Sequence, residues 1–100
     1  RSIVHRYEEF RDELASMKPY LRREYGVSEI GLFGSYVRRE QTEASDLDVL
    51  VEFEESVGLF DLVRLENELA ERLGVDVDLV TKDSLKPRIK ARVTDDLVYV

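Results

Sequence analysis

The sequence predicts an α+β fold, an α/β sandwich in which helices flank a small mixed β-sheet. The first observation is an alternation of patterns. Segments with the apolar spacing of helices alternate with short apolar segments typical of strands, in the order α, β, α, β, α, β, α, β. The second observation is length, because 100 residues with 43% hydrophobic side chains suit one domain with a modest core. We therefore expect residues 1–100 to form a single domain.

Helical periodicity is clearest near the N-terminus and in the second half of the chain. Apolar side chains recur at helical spacing through residues 4–25, where Pro19 predicts a helix, a break and a second short helix. Gly26 then fits a helix stop. Residues 59–73 place their apolar side chains on one face, and Gly74 follows as the predicted end of that helix.

Short apolar runs bounded by glycine or polar residues predict the strands. These runs cover residues 30–33, 46–53, 75–80 and 97–100. The second run alternates at its start and is then continuously apolar, which indicates a central strand with a solvated beginning. Between the strands we expect a short helix over 36–40, a polar loop over 41–45, and a helix capped by Asp83 or Ser84.

Composition excludes several classes of protein. The chain has no cysteine, so it has neither disulfides nor thiolate metal sites. A net charge of −7 argues against a surface that binds long nucleic acid directly. No apolar run approaches the roughly 20 residues that span a bilayer, so we expect no membrane partner and a cytoplasmic location. Basic residues concentrate at 82–92 and at Arg38 and Arg39.

The residues that carry chemistry are carboxylates on two predicted strands. Asp46 and Asp48 flank Leu47, and Asp78 lies in the strand predicted at 75–80. If those strands are neighbours, three carboxylates converge on one edge, where they would attract a divalent cation such as Mg²⁺. Taken alone, such an Asp-x-Asp pair is more often solvated or capping. The Gly34-Ser35 turn upstream, between a strand and a helix, makes the functional interpretation more specific.

The order of these residues resembles a known signature. Gly34-Ser35, Arg38 and then Ser45-Asp46-Leu47-Asp48 are similar to the G-S-x-x-R-G…S-D-x-D pattern of the DNA polymerase β-like nucleotidyltransferase superfamily. The small size and the segment 77–81 resemble its minimal nucleotidyltransferase branch, whose prokaryotic members are commonly paired with a HEPN-domain partner in toxin–antitoxin modules. The likeness covers nearly the whole chain and implies the polymerase β-like fold. Arg39 departs from the pattern, which usually has glycine there.

The resemblance implies a role for each matched residue. Asp46 and Asp48 would bind metal, with two Mg²⁺ ions expected. Asp78 would be the third carboxylate and would help to deprotonate the attacking hydroxyl. Gly34 and Ser35 would bind the β- and γ-phosphates of ATP. Arg38 would neutralise phosphate charge or be an ordinary surface arginine, and Asp76, which shares the parity of Asp78, is a spare ligand. The departure at Arg39 bears on the tightness of the turn and on nucleotide affinity.

The resemblance also implies a partner and an activity. The first hypothesis is a Mg²⁺-dependent antitoxin that transfers AMP from ATP to a tyrosine hydroxyl of a HEPN toxin and neutralises it within a hetero-oligomer. The second is a binding module that neutralises the same partner by occlusion, with a relic active site. A self-contained enzyme acting on a small molecule is a weaker third hypothesis, because no acceptor-binding structure is evident. The basic segment 86–92 and the motif helix at 36–39 are the expected docking surfaces.

Overall fold

Residues 3–40, 45–82 and 87–100 are described by a computed structural model of the chain. The elements are α1 (Ile3–Tyr25), β1 (Val27–Phe33), α2 (Ser35–Arg38), β2 (Leu47–Phe53), α3 (Leu59–Leu73), β3 (Val77–Thr81), α4 (Pro87–Asp96) and β4 (Val98–Tyr99). The predicted alternation of helices and strands is therefore confirmed. Two predictions, the polar loop over 41–45 and the cap at Asp83 or Ser84, rest mainly or wholly outside the described residues.

The strands form one mixed sheet in the order β3-β2-β1-β4. β1 pairs with β2 and with β4 in antiparallel fashion, while β2 and β3 run parallel. The prediction that β2 is a central strand is confirmed, and four of its residues are buried: Leu47, Val49, Leu50 and Val51. The α+β class with a small mixed sheet is confirmed as well.

The break predicted at Pro19 is wrong, because α1 continues through that residue to Tyr25. Buried side chains lie on both sides of Pro19, including Leu14, Met17 and Leu21, and all of them belong to one core cluster. Pro19 itself is exposed. Burial of this continuous apolar stripe therefore outweighs the backbone hydrogen bond that proline cannot make, which costs about 3 kcal/mol in a helix interior.

Several of the remaining boundaries differ from the predictions by a few residues. β1 begins at Val27 rather than at Ile30, because Gly26 (φ +74°) ends α1 and the buried Val27 pairs at once with Phe53 of β2. α3 has the predicted bounds, and Gly74 ends it in the left-handed conformation with its N–H donating to the Ala70 carbonyl at 2.9 Å. In the described part of the chain, no helix is both long and apolar enough to cross a membrane.

Candidate active site

The two strands that carry the predicted carboxylates lie side by side. Asp48 of β2 is the direct register partner of Asp78 on the parallel strand β3. The Leu47 N–H donates to the Asp76 carbonyl at 2.8 Å just before that register, which fixes the start of the ladder. Asp46 precedes β2 by one residue and is exposed, as is Asp78, while Asp48 is half-buried. The structure thus places Asp46, Asp48 and Asp78 together where β2 and β3 begin, at one end of the sheet, which we call the acidic edge.

These carboxylates are close enough to affect one another electrostatically. The pKa of Asp48 is raised to about 6, first by burial and then by the negative charges of Asp78 and Asp46. The Arg38 guanidinium acts in the opposite direction and lowers that pKa. Without a cation, the ionised form of Asp48 is therefore disfavoured by its surroundings. The arrangement costs stability unless positive charge comes to the edge.

Gly34 is packed directly against Asp48. A Cβ atom at position 34 would lie 2.0 Å from the Asp48 Oδ2 atom, which no real contact allows. The backbone at Gly34 also has φ +82° and ψ −155°, a conformation that is essentially restricted to glycine. Glycine at this position is therefore required by the carboxylate behind it, in addition to the close approach of phosphate that the sequence suggested.

The turn after Gly34 is anchored to the core and closed by backbone hydrogen bonds. The Tyr36 ring packs edge-on against Phe10 of α1, with centroids 5.5 Å apart and planes at 68°. The Glu40 N–H donates to the Ser35 carbonyl at 2.9 Å. Arg39 has φ 62° and ψ 35°, so it occupies the left-handed conformation that glycine adopts most easily. The turn therefore closes with Arg39 in place of the glycine that is usual in the pattern.

Arg38 lies between two carboxylates. Its Nε donates to Glu40 Oε2 at 3.1 Å, and its Nη1 pairs with Asp96 Oδ2 at the end of α4. Both partners hold the pKa of Arg38 above its ordinary value. Arg38 is thus tied into the fold and faces the acidic edge, where its charge acts on Asp48.

The donor chemistry of this edge fits a hard divalent cation. Carboxylate oxygens from Asp46, Asp48 and Asp78 are the ligands that Mg²⁺ prefers, and Mg²⁺ completes its shell with water and substrate phosphate. Within the described ranges, no three acidic or histidine side chains are already gathered closely enough to enclose an ion. Metal ligation by these residues, and the choice of Asp78 over Asp76, therefore remain predictions.

The site also contains Asp96, a residue that no sequence pattern indicates. Asp96 lies 58 positions from Arg38, and their contact depends on how α4 returns to β1. No local spacing or motif connects the two. The close packing of Gly34 on Asp48 was missed for the same reason, since it follows from the pairing of Phe33 with Asp48 across β1 and β2.

The chain is similar to known nucleotidyltransferase proteins in sequence and in fold. The family model for the nucleotidyltransferase domain matches residues 9–100. The protein adenylyltransferase MntA of Thermococcus cleftensis is 50% identical over 93 residues, which is 93% of this chain and 94% of that protein. A solved structure provisionally described as a minimal nucleotidyltransferase is 37% identical, with a TM-score of 0.76, and the match covers 92% of this chain and 93% of that one.

A further solved structure, described as a toxin–antitoxin with AMP-PNP, has a TM-score of 0.74 and 27% identity, covering 89% of this chain and 70% of that chain. The family model spans nearly the whole sequence. The matched region includes the Gly34-Ser35 turn and the acidic edge. The chain belongs to the nucleotidyltransferase domain family.

Proposed function

We propose that this chain is a Mg²⁺-dependent protein adenylyltransferase that transfers AMP from ATP to a tyrosine hydroxyl of a HEPN toxin and thereby neutralises it. The observation that carries the proposal is the register of Asp48 with Asp78, directly behind the Gly34 turn. Half of the aligned residues are shared with a relative named protein adenylyltransferase MntA, which supports a protein acceptor. The AMP-PNP complex of a structural neighbour supports ATP as the nucleotide.

The roles of the residues follow from their positions. Asp46 and Asp48 would hold the cation, and Gly34 and Ser35 would bind the β- and γ-phosphates through the N–H groups that the first turn of a helix leaves unpaired. A bound Mg²⁺ would supply charge neutralisation at the triphosphate and orient the leaving pyrophosphate. Arg38 would add positive charge beside the phosphates. The carboxylates of the acidic edge would otherwise repel the phosphates of ATP. The cation, the N–H groups and Arg38 together have to offset that repulsion.

The transfer is a displacement at the α-phosphorus. The tyrosine oxygen of the partner forms a bond to that phosphorus while the bond to the pyrophosphate oxygen breaks, and pyrophosphate leaves. Asp78 is exposed at the open edge of the site, so it is accessible to a partner's hydroxyl and can accept its proton.

The decisive experiment measures transfer of label from ATP carrying ³²P at the α-position to the purified toxin partner. The wild type should label the partner, and Asp46→Asn combined with Asp48→Asn should reduce labelling by at least about 100-fold, since both carboxylates at the cation edge are lost. Retained labelling by the double variant would refute the assignment of these residues. A Tyr-to-Phe change of the partner's acceptor should remove the label without preventing complex formation.

The alternative is neutralisation by occlusion, without chemistry. It predicts that the double variant still suppresses the toxin at equal protein concentration. Adenylylation predicts instead that toxin treated with wild-type chain and ATP stays inactive after the two proteins are separated. The raised pKa of Asp48 favours the enzyme, because a chain that only occludes its partner gains nothing from a destabilising cluster of carboxylates.

A further inference from the structure

Asp96 closes α4 and has little contact with solvent, since only 15% of its side chain is exposed. It pairs with Nη1 of Arg38, whereas Glu40 takes the Nε of the same guanidinium. The Glu40 side chain is 66% exposed, so its ion pair is well screened. The Asp96 pair lies in a drier environment, and a charge-assisted hydrogen bond there constrains geometry more strongly.

The backbone on both sides of Asp96 is held in place. The Leu97 N–H donates to the Val93 carbonyl at 2.8 Å, and Val98 pairs with Leu32 of β1. Gly31 receives the Leu97 side chain so closely that an added Cβ would lie 2.5 Å from Leu97 Cδ1. Asp96 is therefore fixed at the end of α4, next to the sheet, whereas Arg38 is carried by a helix of only 4 residues.

The Arg38 guanidinium needs an anchor that holds its orientation, because the other groups at the site are carboxylates that attract it. Its charge already lowers the pKa of Asp48, so the two side chains are within electrostatic reach. A guanidinium has five N–H donors in a planar fork, and the bonds to Glu40 and Asp96 leave donors for phosphate oxygens. Without Asp96, the guanidinium would lose one of its two anchors and with it a fixed orientation beside the Gly34-Ser35 turn.

We propose that Asp96 is a positioning residue that holds the Arg38 guanidinium in the orientation that binds the phosphates of the incoming nucleotide. The inference rests on the proposed function, and it adds the C-terminal helix to the site. The proposal also predicts a change in ATP affinity opposite in sign to the change that simple electrostatics predicts. A carboxylate near a phosphate site repels the ligand, so simple electrostatics predict tighter ATP binding when Asp96 is removed. Positioning of Arg38 predicts weaker binding.

The test is a calorimetric titration of the full chain with ATP in the presence of Mg²⁺. Asp96→Ala should weaken ATP binding by about tenfold, the size expected for a charge-assisted hydrogen bond. Asp95→Ala is the matched control, because Asp95 is the preceding exposed residue of α4 and the substitution removes the same charge. It should change the affinity by less than about twofold, as is usual for an exposed surface charge.

A double-mutant cycle decides whether Asp96 acts through Arg38. If it does, Asp96→Ala should have little further effect on ATP affinity in a chain that already carries Arg38→Ala, so the two effects will not add. Additive effects would overturn the inference. A purely structural role would lower the melting temperature and leave the affinity at 25 °C unchanged. Should Asp96→Ala fail to fold, Asp96→Asn preserves the size of the side chain and is expected to weaken binding in the same direction.

The wild type separates failure of the inference from failure of the proposed function. If the wild-type chain neither binds ATP nor labels its partner, both proposals fall. If the wild type does both and the Asp96 variants bind ATP as well as the wild type, or more tightly, only the inference about Asp96 is overturned.

Discussion

Replacing Asp48 by Asn should stabilise the protein when no divalent cation is present. The substitution keeps the size of the side chain and removes a charge that burial, Asp78 and Asp46 all disfavour. One pKa unit corresponds to about 1.4 kcal/mol. A pKa of about 6 against an ordinary value of 3.8 therefore sets an upper bound of roughly 3 kcal/mol for the stability that Asp48 costs. Because Asp48 is only half-buried and solvent screens its neighbours, we expect about 1–2 kcal/mol.

The raised pKa of Asp48 also determines whether the stability of the folded protein rises or falls with pH. Between pH 3.8 and about 6 the folded protein retains a proton on Asp48 that the unfolded chain has released. Stability of the wild type therefore falls as pH rises through this window, and the full penalty is present above it. Asn has no proton to lose there, so the advantage of Asp48→Asn should be largest near pH 8 and should vanish near pH 4.

Thermal unfolding followed by circular dichroism in the presence of EDTA measures the effect at pH 4, 6 and 8. A gain of 1 kcal/mol raises the melting temperature of a chain of this size by roughly 4–8 °C. Asp12→Asn is the control, because that side chain is 74% exposed on α1, far from the acidic edge in sequence. The reasoning is refuted if Asp48→Asn is less stable than the wild type at pH 8, or if its advantage is the same at pH 4. Added Mg²⁺ should then raise the melting temperature of the wild type more than that of the variant.

The remaining predictions concern the third carboxylate and the turn. Asp78→Ala should reduce AMP transfer strongly while calorimetry still detects ATP binding. If the variant lost ATP binding and kept transfer, Asp78 would be a nucleotide-binding residue and not the proton acceptor. Gly34→Ala should destabilise the fold by about 2 kcal/mol or more, since its Cβ would collide with Asp48. Gly74→Ala, which has a similar φ but open space, should cost only about 1 kcal/mol, and equal losses in denaturant unfolding would argue against the collision. Arg39→Gly should stabilise the turn by up to about 1 kcal/mol, and a lower denaturation midpoint would contradict the left-handed conformation of that residue.

Much of the fold could be predicted because its signals are local. Apolar periodicity and a following glycine define α3 at both ends, and the continuous apolar run of β2 marks a strand covered on both faces. The acidic edge was predicted only conditionally, since Asp48 and Asp78 meet only if β2 and β3 are neighbours. The spacing along the sequence shows which face of its strand each carboxylate occupies. It does not show which strands pair with each other.

What could not be predicted depends on tertiary contacts. The continuity of α1 through Pro19 follows from burial on both sides of that residue, which no helix propensity contains. The left-handed backbone of Arg39 and the ion pair between Arg38 and Asp96 likewise appear only once α2 and α4 are packed beside the sheet. The basic segment at 86–92, expected as a docking surface, includes Lys86, which lies outside the described residues, so that expectation remains a prediction.

The sheet topology explains why the site lies at one edge. β1 runs antiparallel to β2, so the end of β1 at Phe33 lies beside the start of β2 at Asp48. β3 runs parallel to β2, so its own start brings Asp78 to the same edge. An antiparallel β3 would have placed Asp78 at the opposite end of the sheet. A parallel neighbour requires a long crossover, which is α3, held to the core by the fully buried Leu65 and Leu69. The crossover helix therefore keeps Asp48 and Asp78 together by holding β3 parallel to β2, although none of the proposed catalytic groups lies on it.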